Sequence, residues 1–217
     1  IDEFKTLKES QVSDYQSWLH AYAEDQENFA PEVRLALQTM QQQFDDSMTL
    51  LRWGDIQFIS DLPGKNAGTD GLGGGGATTS ALIDLLSRAQ KSITLQSPYL
   101  VIPEGGLTLF TDLIDRGVKI RIVTNSLSST DNLQAFSGYH KQRKQLLASG
   151  IEIYEFRPDA TVARKLMQRS VALPNKMPVF AIHAKSLVID NQTAYVGTFN
   201  LDPRSTHLNT EVGVVIR

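Results

Sequence analysis

The sequence predicts an α/β fold, a mixed, largely parallel sheet flanked by helices, with a helical segment in front of it. Three observations support this prediction. Apolar residues recur at helical spacing before residue 50, and short apolar strands alternate with helical stretches from residue 92 to residue 156. The balance of 41% hydrophobic and 21% charged residues is that of an ordinary globular chain.

Residues 1–50 are predicted to form a helical linker or appendage, and residues 51–217 the main domain. Between residues 10 and 50 there is no glycine, and the single proline, Pro31, is well placed to open a second helix at its first turn. We interpret both helices as packing or linking elements. A membrane-surface helix is the alternative, but acidic residues in the segment disfavour contact with anionic lipid: Asp25, Glu27, Glu32, Asp45 and Asp46.

A short strand over 55–59 opens the main domain, and a glycine-rich loop over 63–76 follows it. The loop lacks the Gly-Lys-Ser/Thr ending that would hold a nucleotide phosphate, so we interpret it as a flexible loop, with gating of a site as the alternative. Thr78 or Thr79 is predicted to cap the helix that continues through Leu86.

Strands and helices then alternate with short joints. Helices over 107–116 and 131–149 are predicted to end at Gly117 and Gly150, and Asp131 with Asn132 to cap the second helix. This alternation is typical of parallel strands joined by crossover helices. The predicted strands cover 92–96, 118–123, 151–156, 178–182, 186–189, 193–199 and 211–216, with a turn at 190–192.

Charge and composition exclude several kinds of site. With 21 basic and 24 acidic residues the net charge is −3, so no global attraction to nucleic acid is expected. The chain has no cysteine, which excludes disulfides and thiolate chemistry, and no apolar run approaches the roughly 20 residues of a membrane span. The histidines show no metal-ligand spacing, and we expect no metal or other cofactor: His20, His140, His183 and His207.

One stretch near the end of the chain carries the chemistry. His183 and Lys185 are two residues apart on a predicted strand and therefore point to one face. Thr198 and Asn200 have the same spacing at the end of the strand that follows the turn. If these strands neighbour each other, an imidazole, an ammonium, a hydroxyl and an amide converge, and Gly197 lets the backbone approach a ligand closely.

This set of groups suits a phosphodiester, which gains negative charge in its transition state. Lys185 would supply a positive charge, and Asn200 and Thr198 neutral donors to the phosphate oxygens. His183 can attack phosphorus as the neutral base or protonate a leaving oxygen as the cation. Glu211, on a later strand, is predicted to hold the other imidazole nitrogen.

Asp190 has the opposite strand parity from His183 and lies at the turn. We predict a structural role for this carboxylate, as an acceptor for backbone or neighbouring side-chain groups.

The pattern His-x-Lys-x4-Asp-x6-Gly-Thr-x-Asn over residues 183–200 resembles the HKD signature of the phospholipase D superfamily. Further stretches resemble the second half of bacterial cardiolipin synthases of the C type, and the likeness covers roughly residues 55–217. These stretches are residues 97–100, 124–127, 138–147, 200–205 and 209–211.

The resemblance implies a phospholipase-D-like lobe that shares its site with a second, similar lobe. In that family one histidine forms a phosphohistidine and the other acts as acid and base, and His183 would be the acid/base histidine by analogy, although the sequence leaves its role open. One motif occurs here, so the second is expected from a missing N-terminal lobe or from a homodimer mate. The resemblance also offers possible head-group contacts: Tyr99, Arg143 and Arg204.

We therefore expect phosphatidyl transfer of the cardiolipin synthase type. The substrates would be phosphatidylglycerol or a similar phospholipid, and the protein would associate peripherally with a bacterial inner membrane. The start at Ile1 lacks a methionine and a signal peptide, which fits a fragment. Two alternatives stay open: a metal-independent nuclease-type phosphodiesterase, and a non-catalytic lipid-binding lobe. Nucleic acid is disfavoured by the acidic balance.

Overall fold

The computed structural model describes residues 8–28, 31–51, 54–65, 75–157 and 181–217. The chain divides into two compact units, one holding the N-terminal helices and the other all the described strands. In the first unit, α1 spans Glu9–Glu24, a 3₁₀ turn spans Gln26–Asn28 and α2 spans Pro31–Thr49. Pro31 begins α2, as predicted from the sequence.

The two N-terminal helices keep their large apolar side chains in solvent. Trp18 on α1 is 61% exposed and Phe44 on α2 is 59% exposed. Local side-chain bonds at a spacing of four residues support α2, such as the bond from Gln41 Nε2 to Asp45 Oδ1 (3.0 Å). Local interactions therefore contribute more to these helices than burial does.

The second unit is built on a single sheet. Its elements, in chain order, are β1 Ile56–Ser60, α3 Ala77–Ser87, β2 Ser92–Gln96, α4 Glu104–Asp115, β3 Lys119–Asn125, α5 Leu133–Ala148, β4 Glu152–Phe156, β5 Ser186–Ile189, β6 Thr193–Gly197, α6 Pro203–His207 and β7 Val212–Ile216. Within the described residues the strands follow the order β1-β7-β6-β5-β2-β3-β4.

The expected α/β architecture is confirmed, but the sheet is mostly antiparallel instead of largely parallel. Only β2, β3 and β4 are parallel among the described strands, because α4 and α5 return the chain to the same edge of the sheet. β5 runs antiparallel to β2, and β6 and β7 continue that alternation. Asp190 and Asn191, with φ of 55° and 57°, are left-handed residues in the three-residue turn, residues 190–192, that reverses the chain after β5.

The core lies on one face of this sheet. Cross-strand partners on five adjacent strands form a buried row on that face: Val215, Tyr195, Leu187, Leu95 and Ile122. Leu82 of α3 and Phe110 of α4 belong to the same buried apolar cluster. The row places the site-bearing ends of β5 and β6 on a rigid support.

The predicted ends of α4 and α5 are confirmed, whereas the predicted N-terminal cap of α3 is not. α4 and α5 end before Gly117 and Gly150, whose φ values of 85° and 96° lie in the left-handed region. α3 begins after Gly76, so the prediction that Thr78 or Thr79 caps it was wrong. The Asp61 carboxylate from outside the helix accepts the Thr78 N–H instead (2.8 Å).

The predicted strand over 178–182 falls largely outside the described residues. Residues 181–185 are described and form an extended segment that belongs to no strand. The short helix α6 is not among the predicted elements. Its start nevertheless carries a recognisable signal, since Asp202 caps the Ser205 N–H (2.8 Å) and Pro203 occupies the first helical position.

Candidate phosphodiester site

His183 and Lys185 lie in the extended segment before β5, and a side chain from β3 holds that segment in place. Asn125 Nδ2 donates to the Ile182 carbonyl (3.0 Å), and Asn125 Oδ1 accepts the Ile182 N–H (2.8 Å). Asn125 ends β3 and is 2% exposed. A buried amide that pairs both of its groups with one backbone residue fixes the main chain next to His183.

Lys185 is the cation of the site. Its Nζ donates to the His183 carbonyl oxygen (3.0 Å), which leaves two of its three N–H donors for a ligand as far as the described residues show. Partial burial lowers the pKa of Lys185, while the carboxylates of Glu211, Asp131 and Asp202 act in the opposite direction. The ammonium is therefore half-desolvated and surrounded by acids, a setting in which a bound anion gains from direct contact with it.

Gly197 ends β6 where two strands pass beneath an aromatic ring. A Cβ on Gly197 would lie 2.2 Å from Tyr195 Oη, and one on its cross-strand partner Gly213 would lie 2.1 Å from Tyr195 Cε2. The Gly197 N–H donates to the Lys185 carbonyl (3.1 Å), so the strand pairing extends to the residue that carries the ammonium. Glycine is thus required here by the packing of Tyr195, a buried side chain.

Thr198 and Glu211 form a pair of their own. The Thr198 hydroxyl donates to the Glu211 carboxylate and accepts the Val212 N–H (3.0 Å). A hydroxyl has a single O–H, which Thr198 donates to the Glu211 carboxylate here, so a contact from Thr198 to a phosphate stays a prediction. No hydrogen bond joins the two described residues Glu211 and His183, and the predicted carboxylate–imidazole contact is replaced by this carboxylate–hydroxyl contact.

Asn200 has a fixed backbone and an unpaired side chain. Its N–H donates to Ser205 Oγ (3.1 Å) and its carbonyl accepts the Asp202 N–H (2.9 Å). In the described part of the chain, Asn200 Oδ1 is the buried side-chain polar atom without a hydrogen-bond partner. Such atoms are rare and costly in folded proteins. An amide oxygen is an acceptor, so the Asn200 amide would have to rotate by about 180° to offer its N–H groups to an anion at this position.

A buried ion pair that the sequence did not reveal lies beside Glu211. Asp61 accepts Lys65 Nζ (2.8 Å) and the Glu211 N–H (3.0 Å), and the two charged side chains are 0% and 1% exposed. Burial alone would raise the pKa of Asp61, but hydrogen bonds from Lys65, Thr78 and Glu211 outweigh it and lower the pKa. Lys65 Nζ also donates to the Ser205 carbonyl (2.7 Å), which links the pair to the segment after Asn200.

Asp190 binds backbone groups on a neighbouring strand. Its Oδ1 accepts the N–H groups of Lys91 (2.7 Å) and Ser92 (2.8 Å), and its Oδ2 accepts that of Gln90 (2.9 Å). Although partial burial works to raise it, these three bonds lower the pKa of Asp190. The arrangement is the one expected of a structural carboxylate, because it ties the β5–β6 turn to the start of β2.

Tyr99 lies close to the site residues. Its hydroxyl is 3.2 and 3.3 Å from the two carboxylate oxygens of Asp131. Burial first, and then the charge and hydrogen bond of Asp131, raise the pKa of Tyr99, and Asp202 adds to the effect. Because Asp131 and Asp202 act on both Tyr99 and Lys185, these four side chains form one electrostatic group. Asn132, and not Asp131, is the side-chain cap of α5.

Arg143 and Arg204, the other predicted head-group contacts, do not join this group. Arg143 donates to Glu155 (3.0 Å) on β4, an edge strand, and its guanidinium lies 6.0 Å from the Tyr139 ring centre. Arg204 lies on α6 and is exposed. Arg143 is therefore engaged within the fold, and a contact from Arg204 to a ligand stays a prediction.

A mixed sheet with helices, carrying an HKD-type segment at the ends of its strands, is the fold of a phospholipase-D-like lobe. Residues 82–217 match the family described as "Cardiolipin synthase, PLD-like domain", and the chain belongs to this family.

Among the known proteins that the chain resembles are one curated relative and two solved structures. The chain is 34% identical to cardiolipin synthase C of Escherichia coli (strain K12) over 79% of its own length and 35% of that protein's, so it spans about a third of this relative. It also resembles phosphatidylserine synthase of Haemophilus influenzae Rd KW20 (TM-score 0.52, 16% identity, 74% of this chain and 34% of that one). NucT from Helicobacter pylori gives a TM-score of 0.51 at 16% identity, with 74% and 84% covered. At 16% identity, the similarity to these two structures supports the fold alone.

No helix in the described part of the chain combines the length and the apolar character that crossing a membrane requires.

Proposed function

We propose that this chain is one lobe of a phosphatidyltransferase of the cardiolipin synthase type, acting at the surface of a bacterial inner membrane. The observation that carries the proposal is the pairing of Lys185 Nζ with the His183 carbonyl, near strand ends that also hold the unpaired Asn200 amide. Ammonium and amide donors beside an imidazole are what a phosphodiester needs as negative charge develops on its oxygens.

The proposed reaction has two displacements at phosphorus. A neutral imidazole attacks the phosphorus of a phospholipid, the bond to the head-group oxygen breaks, and a second histidine in its cationic form protonates that oxygen. The hydroxyl of phosphatidylglycerol or a similar alcohol then gives its proton to the second histidine and attacks phosphorus, and the N–P bond breaks. We assign the acid/base role to His183 and the phosphohistidine to the partner motif.

The other site residues have supporting roles in this proposal. Lys185 and Asn200 bind the non-bridging phosphate oxygens. Glu211, whose carboxylate is held by Thr198, favours the charged form of Lys185 through its negative charge. The buried Asp61–Lys65 pair holds the Glu211 backbone in position.

The partner motif is proposed to come from elsewhere in a longer protein or from a second copy of the chain. The pattern His-x-Lys occurs once in these 217 residues, and the chain spans about a third of cardiolipin synthase C. We therefore expect little or no turnover from the 217-residue chain on its own.

Lipid is favoured over nucleic acid as the substrate because of the charges around Lys185. Three carboxylates act on this ammonium, and the whole chain has a net charge of −3. A nucleic acid would bring many phosphates into this acidic field, whereas a phospholipid brings the one that Lys185 can bind.

The test is a lipid-transfer assay with the full-length protein that contains this chain. Vesicles of phosphatidylglycerol are incubated with enzyme, and cardiolipin is measured by mass spectrometry. His183→Ala should abolish product, while His20→Ala on α1 serves as the matched control and should leave it unchanged. If His183 is the acid/base histidine, a phosphatidyl group should still be trapped on the partner histidine of the His183→Ala enzyme. Metal-independent cleavage of plasmid DNA with no lipid product would contradict the proposal.

A further inference from the structure

A cavity of about 440 Å³ lies on the core face of the sheet, within the second unit. Leu82 and Leu86 of α3, Phe110 of α4, and Leu95 and Leu187 of the sheet contribute to its walls. Its volume falls within the roughly 300–1,000 Å³ range of sites that bind small molecules. Well-packed cores leave few voids larger than a water molecule, so a space of this size requires an explanation.

The chemistry of the walls selects an apolar occupant. Asp, Glu, Lys and Arg are absent from the described residues that line the cavity. Its hydroxyl groups donate to protein acceptors: those of Thr79, Ser97, Ser186, Tyr195 and Thr206. Apart from Gln96 and His207, the side chains of the walls offer a polar ligand little to replace its hydrogen bonds to water, whereas a hydrocarbon loses none.

The cavity is lined by residues that are close neighbours in sequence of the candidate phosphodiester site. Leu187 lines the cavity, and Lys185 precedes it by two residues in a segment whose pairing with Gly197 continues the strand. Residues two apart in an extended segment share a face and lie roughly 7 Å from each other. Phe199, another lining residue, lies just after the end of β6 and directly precedes Asn200. A ligand with its phosphate at Lys185 and Asn200 thus meets apolar walls within one side-chain length.

The cavity also opens to the outside. Ile83 of α3 lines it and is nevertheless 52% exposed, and a Cβ on Gly105 of α4 would meet no atom within 4 Å. As far as residues 54–65 and 75–157 show, a flexible chain can therefore enter between α3 and the start of α4 without displacing a packed side chain.

We propose that this cavity binds one acyl chain of the phospholipid whose phosphate lies at Lys185 and Asn200. The inference rests on the proposed phosphatidyl transfer and adds to it a subsite on the protein for the lipid tail. The enzyme would draw a single acyl chain out of the bilayer while the reaction takes place at the surface.

Chain-length dependence tests this subsite. The full-length enzyme is assayed with diacyl phosphatidylglycerols of four to eight carbons per chain, below their critical micelle concentrations. Each methylene that enters an apolar site strengthens binding by up to about fourfold. We expect KM to fall severalfold with each added carbon until the cavity is full, and a KM that does not change with chain length would overturn the proposal.

Two cavity variants, one that adds a charge and one that adds volume, test whether the dependence on chain length arises in this cavity. Ile83→Asp places a carboxylate at the mouth and should raise KM for the eight-carbon lipid at least tenfold. Gly105→Leu narrows the cavity without adding charge and should shift the best substrate to shorter chains. Leu147→Asp on α5, where the side chain is 51% exposed and outside the cavity lining, is the matched control and should change neither value. Thermal unfolding verifies that each variant is folded.

A head-group analogue separates the two proposals. Glycerophosphoglycerol, which has no acyl chain, should inhibit the wild type and Ile83→Asp equally, because it binds at the phosphate alone. If both cavity variants keep the wild-type chain-length profile while His183→Ala abolishes turnover, the acyl subsite is wrong and the transfer activity stands. If His183→Ala retains turnover, the proposed function itself fails.

Discussion

The Asn125 side chain makes with Ile182 the two backbone hydrogen bonds that a neighbouring strand would otherwise make. Its amide donates to the Ile182 carbonyl at 3.0 Å and accepts the Ile182 N–H at 2.8 Å, across 57 residues of sequence. Gln142 makes the same pair of bonds with Ile102, far along the chain from His183. The two amides make the same pair of bonds to one isoleucine backbone, and Asn125, which is the more buried of the two, also donates to the Pro98 carbonyl (3.3 Å).

Loss of the Asn125 amide should reduce turnover more than it reduces folding. Asn125→Ala frees the segment before His183, and a displacement of about 1 Å can lower a rate about 100-fold. We expect kcat to fall by that order while KM changes little, measured with the full-length enzyme on lipid vesicles. Gln142→Ala removes the same two bonds elsewhere and should lower the melting temperature comparably while kcat stays near the wild-type value.

The Asn125→Asp variant tests the hydrogen bonds between residue 125 and Ile182 through their dependence on pH. The carboxylate keeps the acceptor for the Ile182 N–H but loses the donor and faces the Ile182 carbonyl oxygen. Protonation restores a donor, so the kcat of the variant relative to wild type should rise as pH falls. A ratio that stays flat from pH 8 to pH 5 would argue against a role for the amide donor.

The buried Asp61–Lys65 pair should be a large contributor to stability. Asp61→Asn removes one partner of a desolvated pair, which typically costs about 3–5 kcal/mol. Because the folded-state pKa of Asp61 is lowered, its contribution is present above the ordinary carboxyl pKa and is lost as pH falls through the folded value. Urea unfolding should thus show a large difference from wild type at pH 7 that shrinks below about pH 4.

A solvent-exposed ion pair serves as the control for the buried Asp61–Lys65 pair. Asp84 and Arg88 on α3 form an ion pair whose side chains are 56% and 74% exposed. Asp84→Asn should change the free energy of unfolding by less than about 1 kcal/mol. Equal effects of the two substitutions would mean that the Asp61–Lys65 pair contributes no more than a surface contact.

Because the Tyr195 ring packs against Gly197 and Gly213, the effects on stability of substitutions at residues 195 and 213 should not be additive. Gly213→Ala would put a Cβ 2.1 Å from the ring, and such overpacking costs about 1–3 kcal/mol. Combined with Tyr195→Leu, the additional cost of the alanine should fall by about 1 kcal/mol or more, as a double-mutant cycle in urea would measure. Gly105→Ala, where the Cβ meets open space, should be neutral or slightly stabilising.

Substitutions at the adjacent turn residues Asp190 and Asn191 should have very different effects on the free energy of unfolding. Asp190→Ala removes the acceptor for three N–H groups and leaves alanine at a φ of 55°, so we expect a loss of about 2–4 kcal/mol. Asn191→Gly keeps the left-handed turn and should be tolerated. Since the pKa of Asp190 is lowered, the penalty for Asp190→Ala should fade as pH drops below about 4. A penalty that persists unchanged at pH 2 would assign the effect to the backbone instead of the carboxylate.

Several elements could be predicted from the sequence because local chemistry decides them. The alternation of apolar residues identified β2, β3 and β5, and the left-handed preference of glycine ended α4 at Gly117 and α5 at Gly150. The HKD-type spacing identified the family, because the pattern is a property of the chain and needs no folding to be read.

Other features depended on partners that are distant in sequence. The antiparallel direction of β5 against β2 is set by pairing between residues far apart in sequence, which no periodicity records. The cap of α3 came from Asp61, 17 residues before Thr78, so the local candidates Thr78 and Thr79 were wrong. The predicted contact between Glu211 and His183 gave way to one with Thr198, because strand pairing placed the hydroxyl against the acid.

By itself the sequence determined the family, the residue types of the candidate site and most of the helices and strands of the sheet domain. Tertiary structure alone decided how His183 is held, through Asn125, and which charge is buried beside Glu211, through Asp61 and Lys65. The physical reason is the separation in sequence over which each kind of interaction acts. Backbone preferences act over a few residues, whereas hydrogen bonds and ion pairs become strong only where folding brings distant groups together and removes water from them.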